Sequence, residues 1–367
     1  MKFRALAVVV ACACACALAS CQSAPSQSSV PSSSAVDLAS LVSHLGTSLS
    51  ERDQNGFLAN FAPSAQSQQL GQIWYANLSQ FAHATISSAH GGVTVSWSVP
   101  GDRAPVVDTL DPDLSLEAGR TVIVGNPLNA ATPVWAATNV TVDTSAAGSV
   151  VSAALTSAQR TTWQSRLASA VRRLGDADLA PLDDSWNGRL VVQIPADADG
   201  YRRLGGDPDT SEAVTVCRAG AVRIDVNPRA LALGAGELDT LLLHEGVHAA
   251  TQSCASATPM WQREGLAEWV AASAYPATAS SDRAAAVAWL ASHPFPSALP
   301  PDADFAGDGD ATWAAYALSE LAVGAMVHHL GRPATMRMLN QSRLTDAQLA
   351  RATGWYQDAL RALAGKP

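Results

Sequence analysis

Hydrophobic residues recur at helical spacing near the start of the chain and then alternate with polar residues. Leucines and a valine at 38, 41, 42, 45 and 49 predict a helix within residues 36–61, and residues 66–81 predict a second helix. Segments rich in β-branched residues follow and predict strands, namely HATISSA, GVTVSWSV, RTVIVGN and PVWAATNVTVD. This order predicts an α+β accessory domain over residues 36–150.

The chain from residue 155 onwards is predicted to form a second, mainly α domain with a small sheet. Residues 157–174 predict a helix, and RLVVQIP and AVRIDVN predict strands. A helix over 236–252 follows, with Glu237 and Asp239 complementing the dipole of its first turn. Further helices are predicted at 261–274, 281–292, 311–330, 333–341 and 345–363. The predicted fold class is therefore α+β.

The N-terminus has the pattern of an export signal, predicted over residues 1–20. Lys2 and Arg4 precede an apolar run, residues 5–17, that is too short to span a bilayer. The run ends in LASC, which resembles a bacterial lipobox and implies that Cys21 is lipidated and anchors the chain to the cell membrane. A looser lipobox ending at Cys12 would leave an unusually short apolar run, and a plain secretory signal is the other alternative.

The segment after the signal is polar. Residues 21–35 contain Ser, Pro and Gln and too few apolar residues to order themselves, which predicts a linker. The whole chain has 23 Lys plus Arg and 32 Asp plus Glu, a formal net charge of -9, with no basic block. Nucleic acid is therefore not expected as a partner.

Two cysteines remain after the signal is removed and Cys21 is acylated. They are Cys217 and Cys254, on either side of the predicted helix 236–252. An even number of thiols outside the cytoplasm predicts a disulfide between them. Two buried free thiols are the alternative.

The helix over 236–252 contains His244-Glu245-Gly246-Val247-His248. Spacing of four residues places the two imidazoles on one face of a helix, about one turn apart, where both can bind one metal ion. Glu245 lies on a neighbouring face and is a candidate general base for a metal-bound water. The alternative is a polar cluster without a metal, but the apolar residues 241–243 make an unpartnered cluster costly there.

A third ligand is expected because catalytic zinc has three protein ligands and an open position. The segment WQREGLAEW, residues 261–269, offers Glu264. HExxH followed by WxxEGxA resembles the gluzincin metallopeptidases of the MA clan, with the resemblance covering about residues 221–275. It implies a zincin-like fold, Zn²⁺ held by His244, His248 and Glu264, and Glu245 as catalytic base.

The same resemblance implies further roles. Glu268 takes the place of a carboxylate that hydrogen-bonds a zinc-bound histidine, the alternative being an exposed helix acid. Tyr316 takes the place of an oxyanion-stabilising tyrosine, the alternative being a core aromatic. AVRIDVN resembles the edge strand that binds substrate, the alternative being an ordinary sheet strand. A G-x-M-E-N segment is not found, so an endopeptidase is expected rather than an aminopeptidase.

The predicted function is zinc-dependent hydrolysis of peptide bonds in a peptide or protein substrate, outside the cytoplasm. The order of elements in residues 36–150 resembles NTF2-like domains of exported bacterial proteins, which implies a spacer or binding accessory. The alternative is a non-catalytic cell-envelope binding lipoprotein that keeps the peptidase fold.

Overall fold

A computed structural model describes residues 37–89, 91–129, 132–177, 179, 186–218, 220–307, 309–341 and 343–365. Of the described residues, 53% are helical and 19% are in strands, with small sheets and several helices, which confirms the predicted α+β class. The predicted signal peptide, the lipidation site Cys21 and the linker lie outside the described residues. None of the described helices is long and apolar enough to cross a membrane.

The chain forms two compact units. The N-terminal unit contains Pro105–Val140 and the described chain up to Ser98, and the C-terminal unit contains Val99–Ala104 and the chain from Thr141 onwards. The accessory domain predicted over residues 36–150 therefore differs from the N-terminal unit at its end. The strands of residues 141–152 pair into the sheet of the C-terminal unit.

The N-terminal unit combines short helices with antiparallel strands. Strands β1, β2 and β3 form one sheet in that order, and β4 and β5 form a hairpin. Asp37 and Ser64 cap α1 and α3 by accepting hydrogen bonds from backbone N–H groups, as N-cap side chains do. The elements are α1 (Leu38–Ser50), α2 (Gln54–Leu58), α3 (Ala65–Leu78), β1 (His83–Ala89), β2 (Gly92–Ser98), β3 (Val106–Leu110), β4 (Asp113–Glu117), β5 (Arg120–Gly125) and α4 (Val134–Ala137).

Helix α4 corrects a predicted strand. Its residues lie in the segment PVWAATNVTVD, of which only the end is a strand. The buried side chains of α3 bind the backbone of this turn, because Trp74 Nε1 donates to Ala136 O at 3.0 Å and Asn77 Nδ2 donates to Trp135 O at 2.6 Å. These bonds satisfy carbonyl groups that a strand would pair with a neighbouring strand.

The C-terminal unit contains a five-stranded sheet with helices packed against it. Its strand order is β6-β7-β8-β10-β9, with β7, β8 and β10 parallel to one another and both outer strands antiparallel to their neighbours. The strands are β6 (Thr141–Ser145), β7 (Gly148–Ser152), β8 (Leu190–Ile194), β9 (Ala213–Arg218) and β10 (Ala221–Val226). The helices are α5 (Ser157–Asp176), α6 (Ala198–Arg203), α7 (Ala235–Thr251), α8 (Met260–Ala274), α9 (Pro276–Ser292), α10 (Asp310–Leu330), α11 (Arg332–Leu339) and α12 (Asp346–Leu363).

A glycine permits the close pairing of β7 with β8. Gly148 has φ +132°, and a Cβ placed there would lie 1.8 Å from Leu190 O. No other residue fits, because only glycine adopts this conformation readily and has no Cβ to collide.

The position of AVRIDVN in the sheet contradicts the edge-strand interpretation. This segment is β10, which lies between β8 and β9, so β9 is the outermost strand on this side among the described residues. The segment AVTVCR forms β9 and pairs with β10 in a tight hairpin from Arg218↔Ala221 to Ala213↔Val226. The sequence analysis did not identify β9 as a strand, and this omission placed β10 at the edge.

Candidate metal centre

Helix α7 carries three of the predicted site residues in the interior of the C-terminal unit. Its N-terminus is held by Glu237, whose Oε2 accepts from the Gly234 N–H at 2.8 Å. Every residue from Thr240 to Ala250 is buried, because the helix is covered on all sides by the sheet and by neighbouring helices. His244, Glu245 and His248 are therefore shielded from solvent, with exposed fractions of 0–1%.

Helix α8, which carries Glu264, packs very closely on α10. A Cβ on Gly265 would lie 2.5 Å from Ser319 O, so only glycine at this position allows the two backbones to approach. Gly265, directly after Glu264, therefore has a packing role between these two helices.

Three candidate ligand atoms converge at nearly equal separations. The two Nε2 atoms of His244 and His248 are 3.0 Å apart, and Oε2 of Glu264 lies 3.1 Å from His248 Nε2 and 3.3 Å from His244 Nε2. Around a tetrahedral ion with bonds of about 2.0–2.1 Å, ligand atoms lie about 3.3 Å apart. The other oxygen of Glu264, Oε1, is buried without a hydrogen-bond partner among the described residues. This buried group can hold a metal ion.

The charges of the centre favour a cation. Burial opposes ionisation of Glu264, but the imidazoles outweigh it and lower the pKa of Glu264 to about 2. Burial also opposes a charge on His244, yet the carboxylates of Glu268 and Glu264 raise the pKa of His244 well above its usual value. Burial raises the pKa of Glu245. The carboxylates of Glu264 and Glu268 thus place negative charge beside the imidazoles, which attracts a positive charge.

Both histidines contact a polar group through Nδ1. His248 Nδ1 lies 2.6 Å from Ser253 Oγ, and His244 Nδ1 lies 3.2 Å from Oε1 of the partly exposed Glu268. The hydrogen bond with Ser253 fixes the orientation of the His248 imidazole, with Nε2 turned to the ligand group. Glu268 lies at ion-pair distance from His244, whose Nδ1 makes no hydrogen bond among the described residues. The structure thus places the Glu268 carboxylate close to His244 and adds Ser253 as a hydrogen-bond partner of His248.

Glu245 is held from the sheet side. Thr215 of β9 donates from Oγ1 to Glu245 Oε2 at 2.5 Å and lies 3.0 Å from the Glu245 carbonyl oxygen. The second carboxylate oxygen, Oε1, is buried and has no hydrogen-bond partner among the described residues. The predicted base therefore has one fixed oxygen and one unpaired oxygen.

Tyr316 lies beside the ligand group and is also part of the core. Its ring centroid is 6.5 Å from that of His244 and 5.2 Å from that of Phe305. Burial, followed by the nearby carboxylates of Glu264 and Glu268, raises the pKa of Tyr316 well above its usual value. The tyrosine is consequently neutral and can donate its hydroxyl proton.

A disulfide joins Cys217 to Cys254, with their Cα atoms 5.7 Å apart. It fastens β9 to the short 3-10 turn Ser253–Ala255 that follows α7. Thr215 lies two residues before Cys217, and Ser253 lies directly before Cys254. The two hydroxyl groups that contact Glu245 and His248 are thus tied to each other through the bridge.

No family model, curated protein or solved structure matches this chain. The functional interpretation rests on the residues themselves.

The structure brings His244, Glu245, His248, Glu264, Glu268 and Tyr316 together. Sequence reasoning missed Thr215 and Ser253, which belong to no motif and are marked only by the neighbouring cysteines.

Proposed function

We propose that this protein is a zinc metallopeptidase of the gluzincin type. The observation that carries the proposal is the triangle of Nε2, Nε2 and Oε2 atoms with separations of 3.0, 3.1 and 3.3 Å, beside an unpaired carboxylate oxygen of Glu245. Three protein ligands with a further coordination position left open are typical of catalytic zinc, whereas structural zinc has four.

In this proposal His244, His248 and Glu264 hold Zn²⁺. The ion supplies a Lewis acid that polarises a substrate carbonyl and acidifies water. Glu245 Oε1 accepts a proton from the attacking water and delivers it to the nitrogen of the leaving amine as the C–N bond breaks. Geometry supports this role, because Oε2 of Glu245 is engaged by Thr215 while Oε1 has no hydrogen-bond partner among the described residues.

Two neighbouring residues complete the proposed site. The neutral Tyr316 hydroxyl would donate to the oxyanion that develops on the carbonyl oxygen. Glu268 would hold His244 in the ligand orientation through Nδ1. Both roles are supported by position, since Tyr316 packs near His244 and Glu268 Oε1 lies 3.2 Å from its Nδ1.

The proposed substrate is an extended segment of a peptide or protein. Strand β9 carries Thr215, which contacts Glu245, and its outer edge has no strand neighbour among the described residues. An extended backbone can pair with such an edge. We infer an endopeptidase, because the sequence has no segment of the kind that large gluzincin aminopeptidases use for a free amino terminus. The accessory domain would act as a spacer or as a binding accessory, and Cys21 would anchor the chain outside the cytoplasm.

One observation favours a second candidate function, a non-catalytic envelope protein that keeps the centre as a binding or structural element. The three ligand residues and Glu245 have exposed fractions of only 0–1%, so a substrate reaches them only if neighbouring segments move. A metal ion held for structure alone needs no such access.

Hydrolysis by zinc-loaded protein separates the two candidates. A library of peptides with blocked ends would be incubated with wild type, Glu245→Gln and the exposed control Glu51→Gln. The proposal predicts internal cleavage by wild type and Glu51→Gln, with Glu245→Gln keeping its zinc and losing about 10²–10⁴-fold in rate. A Glu245→Gln variant as active as wild type contradicts the proposed mechanism, and zinc-loaded wild type that cleaves nothing favours the non-catalytic protein.

A further inference from the structure

A threonine outside every recognised motif contacts the proposed catalytic base. Thr215 has an exposed fraction of 1%, and its Oγ1 lies 2.5 Å from Glu245 Oε2 and 3.0 Å from Glu245 O. A single side chain therefore contacts both the carboxylate and the backbone of the same glutamate. This double contact fixes the carboxylate relative to its own helix.

The register of the sheet holds the hydroxyl in this place. Thr215 pairs with Ile224 of β10, a residue of the main core, so both side chains lie on the face covered by α7. Cys217 is two residues further along the same strand and therefore shares this face, where it bonds to Cys254 beyond the end of α7. Strand pairing and the disulfide together prevent Thr215 from moving away from Glu245.

The two oxygens of the Glu245 carboxylate differ in their surroundings. Oε2 accepts a hydrogen bond from Thr215 Oγ1, whereas Oε1 is buried and has no hydrogen-bond partner among the described residues. The threonine therefore engages one oxygen and leaves the other unengaged.

We propose that Thr215 is the positioning residue for Glu245, holding Oε2 so that Oε1 alone is left to accept the proton from water. This inference rests on the proposed peptidase function. Thr215 acts through Glu245 and does not contact the scissile bond. Without it the carboxylate can rotate about its terminal bonds, and the reactive orientation is populated for only part of the time.

The test compares Thr215→Val, Thr215→Ser and Thr240→Val, all loaded with zinc. Valine keeps the shape of threonine and removes the hydroxyl, whereas serine keeps the hydroxyl. Thr240 is the matched control because it lies on α7, is buried, and donates to Gly236 O of its own helix at 2.8 Å. We expect Thr215→Val to lower kcat by about 10- to 100-fold with KM and zinc content unchanged. Thr215→Ser should restore most of kcat, and Thr240→Val should match wild type.

A crystal structure of zinc-loaded Thr215→Val gives a readout that does not depend on turnover. We expect the Glu245 carboxylate to be rotated or in two orientations there and single in Thr215→Ser. Wild-type kcat in Thr215→Val, or an unmoved Glu245 carboxylate in its structure, overturns the inference. If zinc-loaded wild type cleaves no peptide, the proposed function fails, while the orientation of Glu245 in the two variants still decides the role of Thr215.

Discussion

The hydroxyl of Ser253 lies 2.6 Å from Nδ1 of His248, and the residue after Ser253 is the disulfide-bonded Cys254. The ring of His248 is thereby turned so that its Nε2 faces His244 and Glu264. Ser253 is itself held from α8, because Arg263 Nη1 donates to its carbonyl oxygen at 3.0 Å. The backbone that presents this hydroxyl is therefore fixed from two directions.

Removing the hydroxyl should weaken metal binding without unfolding the chain. We expect Ser253→Ala to lower the affinity for zinc by about 10- to 100-fold, because His248 loses the partner that orients it. Competition with a chromophoric chelator measures the affinity. Ser256→Ala is the control, since its hydroxyl contacts Thr258 and no residue of the centre. Equal affinities in wild type and Ser253→Ala would show that His248 needs no such partner.

The disulfide should contribute to the stability of the C-terminal unit. It joins residues separated by 37 positions, and closing a loop of that length in the unfolded chain is worth about 4 kcal/mol in the chain-entropy estimate. A reducing agent should lower the urea midpoint of wild type to that of the Cys217→Ser/Cys254→Ser double variant. The double variant should not respond to the reductant. A wild-type midpoint that is the same with and without reductant would refute this.

Asp225 is a buried carboxyl group on the opposite face of β10 from Ile224. It has no exposed surface, accepts from Gln193 Nε2 at 2.7 Å, and lies 3.7 Å from Arg218 Nη2. Burial outweighs the attraction of Arg218 and Arg223 and raises the pKa of Asp225 from 3.8 to about 6. The folded chain thus binds this proton more tightly than the unfolded chain does.

The stability of the protein should consequently fall as Asp225 ionises. Its contribution is complete below pH 4 and is lost as the pH rises through about 6, a change of about 3 kcal/mol for a shift of about two pKa units. Urea unfolding in a metal chelator would be compared at pH 4 and pH 7 for wild type and Asp225→Asn. The free energy of unfolding of wild type, relative to that of Asp225→Asn, should be larger at pH 4 than at pH 7. If the free energies of unfolding of wild type and Asp225→Asn changed with pH in the same way, the raised pKa of Asp225 would be contradicted.

The local part of the site could be predicted from the sequence. His244, Glu245 and His248 follow from helical spacing, and Glu264 follows from the compound motif with WxxEGxA. Each of these predictions needs only the geometry of one helix or a short pattern. The α+β class followed in the same way from periodicity, because helices and strands differ in the spacing of their buried residues.

Features that depend on packing between distant segments could not be predicted. Thr215 meets Glu245 across a sequence separation of 30 residues, through the contact of β9 with α7. The position of β10 inside the sheet depends on the pairing of β9, whose sequence was not identified as a strand. Helix α4 replaces a predicted strand because Trp74 and Asn77 bind its carbonyl groups. Each of these features depends on a tertiary contact that no local pattern encodes.

The most direct test of the central claim is metal analysis of purified protein. Wild type, His248→Ala, Glu264→Ala and the control His328→Ala would be supplied with zinc, dialysed and analysed by mass spectrometry of the metal. His328 lies exposed on α10, away from the ligand group. We predict about one zinc ion per chain in wild type and His328→Ala, and loss of the ion in both ligand variants. Wild type without zinc, or ligand variants that retain it, would contradict the assignment of His244, His248 and Glu264 as a zinc centre.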